Sequence, residues 1–290
     1  MLTIKINFIN TTKRLKSLFF DHINNGDKMK VLITGARSGI GFLTGITLAN
    51  RGHFVYMTTH TKEEAKRLKE ITDELRLKVM VFKLDITNIN DRKMVNVLDI
   101  DVLINHAGVG VGGSVLDVPI EEMRKNFEVN YFSSFDIVKR VGNRMIKNNK
   151  NGKIIIMSSI SGITSIPFLG VYSSTKAAIS NMATSLRYEL KMLKSKIKVV
   201  LIEPGAYKTG FNQVMIDGID KNINENSVFY NDKEKIYTGL NKMFNFIEKK
   251  KIDSIVVKII EAVESDNPKA KYRAPLLQRL FTRIYLIFSK

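Results

Sequence analysis

Cysteine and tryptophan are absent from the 290 residues of the chain, and proline occurs only five times. Without cysteine, the chain has neither disulfide bonds nor thiolate metal ligands, and this composition suits a reducing compartment. Histidine is scarce too, and its four copies lack the spacing of metal ligands: His22, His53, His60 and His106. We therefore expect a cytoplasmic protein without a bound metal ion.

Long apolar runs are also missing, and acidic residues are outnumbered. The longest apolar run falls far short of the ~18 residues that span a bilayer. The 46 basic residues against 28 acidic ones give a net charge of +18, which is compatible with nucleic acid, an anionic membrane or an anionic cofactor. The lysines are not interleaved with arginine and aromatic residues as on nucleic-acid surfaces, so we expect no nucleic-acid partner.

Basic residues are in excess at both ends of the chain. Residues 1–28 predict a poorly ordered basic arm, although a surface-bound segment or an extension upstream of a start at Met29 would have the same composition. Residues 276–290 predict an amphipathic helix with one apolar stripe: Leu276, Leu277, Leu280, Phe281, Ile284, Ile287 and Phe288. This stripe either packs on its own domain or a second copy, or it lies in a membrane interface, where the basic termini would assist peripheral contact.

Short apolar runs alternate with helical patterns through the rest of the chain. The runs are Lys30–Thr34, Phe54–Thr59, Lys78–Asp85, Asp101–Asn105, Gly152–Ser159 and Ile197–Glu203, with a short last strand at Lys271–Ala274. The alternation predicts an α/β domain over residues 29–275, built on one parallel sheet with helices on both faces. Ligands of such sheets bind beyond the carboxyl ends of the strands. The residues at those ends are Gly35, Thr59, Asp85, Asn105, Ser159 and Pro204.

A glycine-rich turn follows the first strand and precedes a helix. Its glycines, Gly35, Gly39 and Gly41, allow a sharp bend and let a pyrophosphate approach the helix N-terminus. Three residues separate the first two glycines, unlike the ordinary dinucleotide fingerprint. The turn indicates a nucleotide site only in combination with other motifs.

A tyrosine and a lysine stand four residues apart on one predicted helix face. The ammonium group of Lys176 would favour the phenolate of Tyr172 and lower its pKa from about 10 toward the range of an acid–base catalyst. Ser159, at the end of the fifth strand, can donate to the same substrate oxygen. Ser158 is the competing serine, but the two-residue period of a strand directs it to the other face.

Taken together, these motifs resemble the short-chain dehydrogenase/reductase family over residues 30–210. The matching segments are Thr34–Gly41, Asp85, Asn105–Gly108, Asn130, Ser159, Tyr172–Lys176 and Pro204–Thr209. The resemblance implies a Rossmann-type doubly wound fold and NAD(P)-dependent interconversion of a carbonyl and an alcohol. It also implies a homodimer or homotetramer.

The resemblance further implies a role for each matching residue. Tyr172 would be the general acid/base, and Ser159 would hold the substrate oxygen. Lys176 would lower the tyrosine pKa and bind ribose, while Asn130 would serve a proton relay. Cofactor contacts are implied for Gly35, Arg37, Ser38, Gly39, Ile40, Gly41, Thr59, His60, Asp85, Ile86, Asn105, Ala107, Gly108, Tyr172, Lys176, Pro204, Gly205 and Thr209.

Cofactor and substrate classes follow from two further regions. An acid at the end of the second strand would select NAD(H), but Thr59 and His60 stand there, with Arg37 in the glycine turn, so we expect NADP(H), with NAD(H) as a possible substitute. His106 occupies a position where the family more commonly has asparagine. The apolar residues of the predicted substrate lid, about 210–250, favour a small or lipid-like apolar substrate.

An alternative is a protein that kept the fold without the chemistry. It would be a non-catalytic NAD(P)-binding regulator or a peripheral membrane-binding protein. Such a protein would be expected to lack Tyr172 or Lys176, and the sequence has both.

Overall fold

A computed structural model describes residues 28–278, 280, 282 and 284 of the chain. The predicted basic arm of residues 1–28 lies outside the described residues except for Lys28. Of the predicted apolar stripe near the C-terminus, Phe281, Ile287 and Phe288 lie outside them as well.

The described residues form a seven-stranded sheet of parallel strands. The strands are β1 Lys30–Ile33, β2 Phe54–Thr59, β3 Val79–Lys83, β4 Val102–Asn105, β5 Lys153–Met157, β6 Lys198–Pro204 and β7 Lys271–Ala274. Their order is β3-β2-β1-β4-β5-β6-β7, so the direction of winding reverses between β1 and β4. The predicted doubly wound fold is confirmed, and its reversal point opens a crevice at the carboxyl edge. The third strand ends at Lys83 and not at Asp85, which lies in the loop beyond it.

Helices cover both faces of the sheet. They are α1 Gly39–Asn50, α2 Lys62–Glu74, α3 Ile89–Met94, α4 Ile120–Phe127, α5 Ser134–Lys147, α6 Gly170–Met192, α7 Phe211–Asn222, α8 Lys233–Ile247 and α9 Asp253–Glu264. Alternate strand residues point to opposite faces, so Val31 and Ile33 pack with α1 and α9 whereas Leu32 packs with α5 and α6. A wider π-type turn at Glu128–Ser133 joins α4 to α5.

Charged side chains pair at the amino edge of the sheet. Glu264, at the end of α9, accepts from Arg51 at 2.8 Å and lies 3.2 Å from the His53 ring just before β2. Nearby, the Lys150 ammonium lies 2.7 Å from the carboxylate of Asp101, next to β4. These bonds hold the ends of helices against the sheet, away from the carboxyl edge.

The predicted lid region consists of two helices, α7 and α8, which pack over the carboxyl edge. Gly112, in the glycine-rich loop after β4, lies so close to α7 that an added Cβ would overlap the carbonyl oxygen of Met215. Gly218 on α7 faces the same loop, since its added Cβ would lie 3.1 Å from the Gly112 carbonyl oxygen. Small residues on both sides therefore let the lid sit directly on the loop.

The chain continues beyond β7 as a helical segment, with residues 276–278, 280, 282 and 284 described. None of the helices in the described part of the chain is long and apolar enough to cross a bilayer.

Candidate active site

Three predicted catalytic side chains meet at the carboxyl edge of β5. Ser159 follows this strand directly, and Tyr172 and Lys176 lie on the first turns of α6. All three are at most 8% exposed. The Ser159 hydroxyl hydrogen-bonds to the Tyr172 phenol, so the two groups can share one substrate oxygen.

The neighbouring serine points to the other side of the strand. Ser158 donates to the backbone carbonyl of Lys176 at 2.9 Å and lies 2.7 Å from the Ser180 hydroxyl. These contacts anchor α6 to the end of β5. They leave Ser159 facing Tyr172, as the strand alternation predicted.

The electrostatics of Tyr172 differ from the sequence-based expectation. Burial raises the pKa of its phenol, and the hydrogen bond from Ser159 only partly opposes this shift. Burial also lowers the pKa of Lys176 to about 8. The ammonium lies 5.6 Å from the centre of the tyrosine ring and donates to the Met157 carbonyl at 3.2 Å. Desolvation therefore sets the direction of the Tyr172 pKa shift, and the phenol keeps its proton at neutral pH.

Asn130 lies in the π-type turn and holds the loop after β4 from both sides. Its Oδ1 accepts from the Val109 amide at 2.8 Å, and its Nδ2 donates to the Val109 carbonyl at 2.8 Å and to the Thr175 hydroxyl at 3.0 Å. Asn126, which the sequence analysis missed, donates to the same carbonyl at 3.1 Å. Its spacing of one helical turn before Asn130 was the available signal.

Apolar lid residues close over the tyrosine. The ring of Phe211, at the start of α7, lies 5.5 Å from the ring of Tyr172. Met215 and Phe244 belong to the same buried cluster. This packing is the physical cause of the desolvation of Tyr172.

The turn after β1 has the shape of a phosphate cradle. Gly35 and Gly39 have φ values of 70° and 59°, and a Cβ on Gly35 would lie 2.9 Å from the Ala107 Cα. Ser38 precedes α1 without a side-chain cap bond in the described structure, which leaves the amides of the first turn available to an anion. The Asn105 Oδ1 is buried without a hydrogen-bond partner, although its Nδ2 donates to Ser134 at 2.6 Å. The residues present therefore fit a dinucleotide.

His106 joins the two loops that border this cradle. Its backbone amide donates to the Thr34 hydroxyl at 2.9 Å, and its Nδ1 lies 3.1 Å from the Gly35 carbonyl. Burial lowers the pKa of the ring to about 4, so the imidazole is neutral and Nδ1 acts as the donor to that carbonyl. His106 therefore has a structural role, because it holds the two loops together.

The short chain dehydrogenase family model matches residues 29–219, which include every strand end described above except that of β7. The chain belongs to the short-chain dehydrogenase/reductase family. It is therefore an oxidoreductase, as members of this family are NAD(P)-dependent enzymes of that class.

Two relatives match nearly the whole chain. The chain is 32% identical over 268 residues to a 3-ketodihydrosphingosine reductase of Bacteroides thetaiotaomicron, covering 87% of this chain and 90% of the relative. It is 31% identical over 267 residues to an NADPH-dependent 3-dehydrocapnine reductase of Ornithobacterium rhinotracheale, covering 88% and 92%.

Solved structures share the fold. A short-chain dehydrogenase/reductase from Burkholderia phymatum in complex with NAD superposes with a TM-score of 0.77 at 18% identity, covering 91% of this chain and 96% of that one. A short-chain dehydrogenase from Burkholderia cenocepacia in complex with NADP gives 0.68 at 22% identity, covering 91% and 94%.

The helix that follows β2 places an acid beside the glycine turn, and this acid was not among the predicted cofactor residues. Glu64, in the first turn of α2, lies 3.3 Å from the Arg37 guanidinium. Its other oxygen accepts from the backbone amides of His60 and Thr61 at 3.1 and 3.3 Å. Thr61 and Glu64 form a capping box, a spacing that is visible in the sequence.

The remaining predicted cofactor residues divide between those that border the cradle and those engaged elsewhere. Thr209 lies 3.4 Å from where a Cβ on Gly39 would be. Asp85 accepts from the amide and hydroxyl of Thr87 at 2.9 and 2.7 Å. Gly205 faces the C-terminal segment, where an added Cβ would overlap the side chain of Gln278. Ile86 is buried in the core and Pro204 ends β6.

Metal-ligating side chains do not gather at this site or elsewhere in the described residues, where no group of three or more could hold an ion.

Proposed function

We propose that the protein is an NADP(H)-dependent reductase that interconverts a carbonyl and an alcohol on a lipid-like apolar substrate. The observation that carries this proposal is the buried cluster of Ser159, Tyr172 and Lys176 beside the glycine cradle. We also propose a cytoplasmic location, which the absence of cysteine suits.

Tyr172 is the general acid in the direction of reduction. It gives its phenolic proton to the carbonyl oxygen, and its raised pKa keeps that proton in place until the oxygen becomes basic. Ser159 donates a hydrogen bond to the same oxygen and stabilises the negative charge that develops there. When bound, the nicotinamide supplies the hydride.

Lys176 and Asn130 support the tyrosine. Lys176 would bind the ribose hydroxyls, and its ammonium stabilises the phenolate that Tyr172 becomes once its proton has been transferred. Asn130 fixes the Val109 loop and would hold a water that connects the lysine with solvent. A Cβ on Gly108 would lie 3.1 Å from the Asn130 Oδ1 and 3.6 Å from the Lys176 Nζ, so both groups border the same small space.

Main-chain amides and a few side chains would hold the cofactor. The turn Gly35–Gly41 would bind the pyrophosphate at the start of α1. Asp85 and Asn105 would bind the adenosine half, for which the unpartnered Asn105 Oδ1 is a free acceptor. Thr209 would bind the carboxamide.

A lipid-like ketone is supported as substrate by the lid and by the relatives. Phe211, Met215 and Phe244 line the region above Tyr172 with apolar side chains. The two reductases named above act, by their names, on 3-ketodihydrosphingosine and on 3-dehydrocapnine.

Oxidation of NADPH in the presence of 3-ketodihydrosphingosine tests the function. We expect NADPH fluorescence to titrate with saturable binding, and absorbance of the reduced nicotinamide to fall when this ketone is added. A short apolar ketone is expected to react more slowly, because it leaves the lid contacts unused. Failure to bind either NADPH or NADH would remove the basis of the proposal.

The preference for NADP(H) is supported by Arg37 and by the absence of an acid directly after β2, and the 3-dehydrocapnine reductase is NADPH-dependent by name. Glu64 opposes it, because its carboxylate already pairs with Arg37. We expect Glu64→Gln to lower the Kd for NADPH about fivefold, since a partly exposed ion pair contributes ~1 kcal/mol. The Kd for NADH should change little.

Fluorescence titration with both nucleotides measures this change. Glutamine preserves the capping box, so α2 keeps its start. Glu63→Gln is the matched control, as it removes the same charge one residue earlier without touching Arg37. Equal tightening in both variants would mean that only net charge matters.

We also propose a homodimer or homotetramer. Large apolar side chains are exposed on α4 to α6 and on the turn between them, among them Ile120, Phe132, Tyr188 and Met192. Such exposure is typical of surfaces that associate. Light scattering of the purified chain should give twice or four times the monomer mass, and a monomer at micromolar concentration would exclude both assemblies.

A further inference from the structure

The helical segment after β7 contacts the domain through polar groups. Gln278 accepts from the Ala206 amide at 2.7 Å through its Oε1 and donates to the Ile247 carbonyl at 2.7 Å through its Nε2. Thr282, one turn later, is buried and donates to the Gln278 carbonyl at 2.8 Å. Among the described residues of the segment, those that face the protein are therefore the polar Gln278 and Thr282, and Gln278 holds the segment to the domain.

The opposite side of the segment is apolar and exposed. Leu276, Leu277, Leu280 and Ile284 are 46% to 69% exposed. At 3.6 residues per turn, they fall within an arc of about 100°, opposite to Gln278 and Thr282. Helices on the surface of a globular protein have the reverse arrangement. The described part of this stripe thus does not pack on its own domain.

The end of the lid, which bonds to the segment through Gln278, exposes a further apolar side chain. Phe246, on the last turn of α8, is 90% exposed and directly precedes Ile247, whose carbonyl binds Gln278. We call Phe246, Leu276, Leu277, Leu280 and Ile284 the apolar face. It lies at the carboxyl edge of β6 and β7, the same edge at which Ser159 follows β5.

Lysines border the apolar face. Lys249, Lys250 and Lys251 are exposed and follow α8 directly, and the exposed Lys208 donates its backbone amide to the Lys249 carbonyl at 3.0 Å. In the described structure, none of these four ammonium groups forms an ion pair with an acid. A positively charged rim around exposed apolar side chains is complementary to lipid phosphates above an acyl region.

We propose that the apolar face docks on the surface of an anionic lipid bilayer, with the lysine rim on the phosphates. Docking in this orientation places the end of the lid at the membrane. A lipid-like substrate would then pass from the bilayer to Tyr172 beneath the lid. This last step rests on the proposed function, whereas docking itself does not.

Co-sedimentation of the full chain with vesicles tests the proposal. We expect binding to vesicles of phosphatidylglycerol and phosphatidylcholine that weakens with added salt, and little binding to phosphatidylcholine alone. The variant Leu276→Ser/Leu277→Ser should bind at least about tenfold more weakly, because the apolar area that enters the interface is lost. Lys249→Glu/Lys250→Glu/Lys251→Glu should lose the preference for the anionic lipid.

Matched controls come from Met94 and Val97, between β3 and β4, which are exposed and lie outside the proposed oligomer surface. Met94→Ser/Val97→Ser should bind vesicles like the wild type, as should Lys194→Glu/Lys196→Glu. Absence of vesicle binding, or equal loss in variants and controls, would overturn the proposal. So would a lower oligomeric mass of the leucine variant in light scattering, which would assign the face to a second copy of the chain.

NADPH binding and turnover of a short, water-soluble ketone are measured on the same variants. Both should equal the wild-type values, because the exposed leucines and lysines touch neither Tyr172 nor the cradle. If the wild type itself binds no nucleotide, the proposed function fails while the docking result still stands.

Discussion

Replacement of Tyr172 by phenylalanine is expected to reduce kcat by a factor of ~10²–10⁴, the usual contribution of a positioned general acid. Phenylalanine keeps the ring that packs on Phe211 and removes only the hydroxyl that bonds to Ser159. Binding of NADPH should therefore be unchanged. Turnover is followed by absorbance of the reduced nicotinamide, and binding by fluorescence titration.

Tyr272→Phe provides the matched control. Tyr272 is a buried tyrosine on β7 whose hydroxyl accepts from the Lys269 amide at 3.1 Å, and it packs in a different core cluster from Tyr172. Its replacement should cost about 1 kcal/mol of stability and leave kcat unchanged. Full activity in Tyr172→Phe would exclude this residue as the proton donor.

The second large effect concerns the contact between the lid and the loop after β4. A Cβ on Gly112 would overlap the Met215 carbonyl oxygen and lie 2.7 Å from its carbon. Both atoms belong to the backbone of α7, so no side-chain rotation relieves the overlap. We expect Gly112→Ala to lower the free energy of unfolding by ~1–3 kcal/mol or to displace α7. Thermal unfolding measures the first outcome.

Displacement of α7 has its own signature. If the lid moves from the site, water reaches Tyr172 and its pKa falls back toward the ordinary value of about 10, which a spectroscopic titration of the phenol detects. Gly239→Ala, on α8, is the control, because an added Cβ there meets nothing within 4 Å. It should be neutral or stabilising by up to ~1 kcal/mol. Identical behaviour of both variants would mean that α7 does not rest on the loop.

Strand positions could be predicted because their signal is local. Runs such as Val31–Ile33 and Ile154–Ile156 are apolar on both sides, as required of strands buried on both faces. Once the strands are placed, parallel order brings Gly35, Asn105 and Ser159 to one edge. The choice of Ser159 over Ser158 follows from the same alternation, and the structure gives the two serines different partners.

The pKa of Tyr172 could not be predicted in the same way. The spacing of Tyr172 and Lys176 indicates proximity, but the sign of the shift depends on solvent exclusion. That exclusion comes from Phe211 and the rest of the lid, some 40 residues later in the chain, whose position over the site has no local signal.

The orientation of the C-terminal helical segment could not be predicted from the sequence either. An apolar stripe at Leu276–Ile284 reveals amphipathicity but not which side faces the protein, and the inward side is set by the hydrogen bonds of Gln278.

By contrast, the pairing of Glu64 with Arg37 had a usable signal, since the Thr61–Glu64 capping box fixes the carboxylate beside the glycine turn.

The ion pairs at the amino edge of the sheet have a consequence for how this chain can change over evolutionary time. Arg51, His53 and Glu264 join α1, β2 and α9 at the edge opposite to the catalytic cluster. Substitutions that retune selectivity at the carboxyl edge leave these bonds intact. The stability that these bonds provide can therefore offset the loss of stability caused by substitutions around the active site.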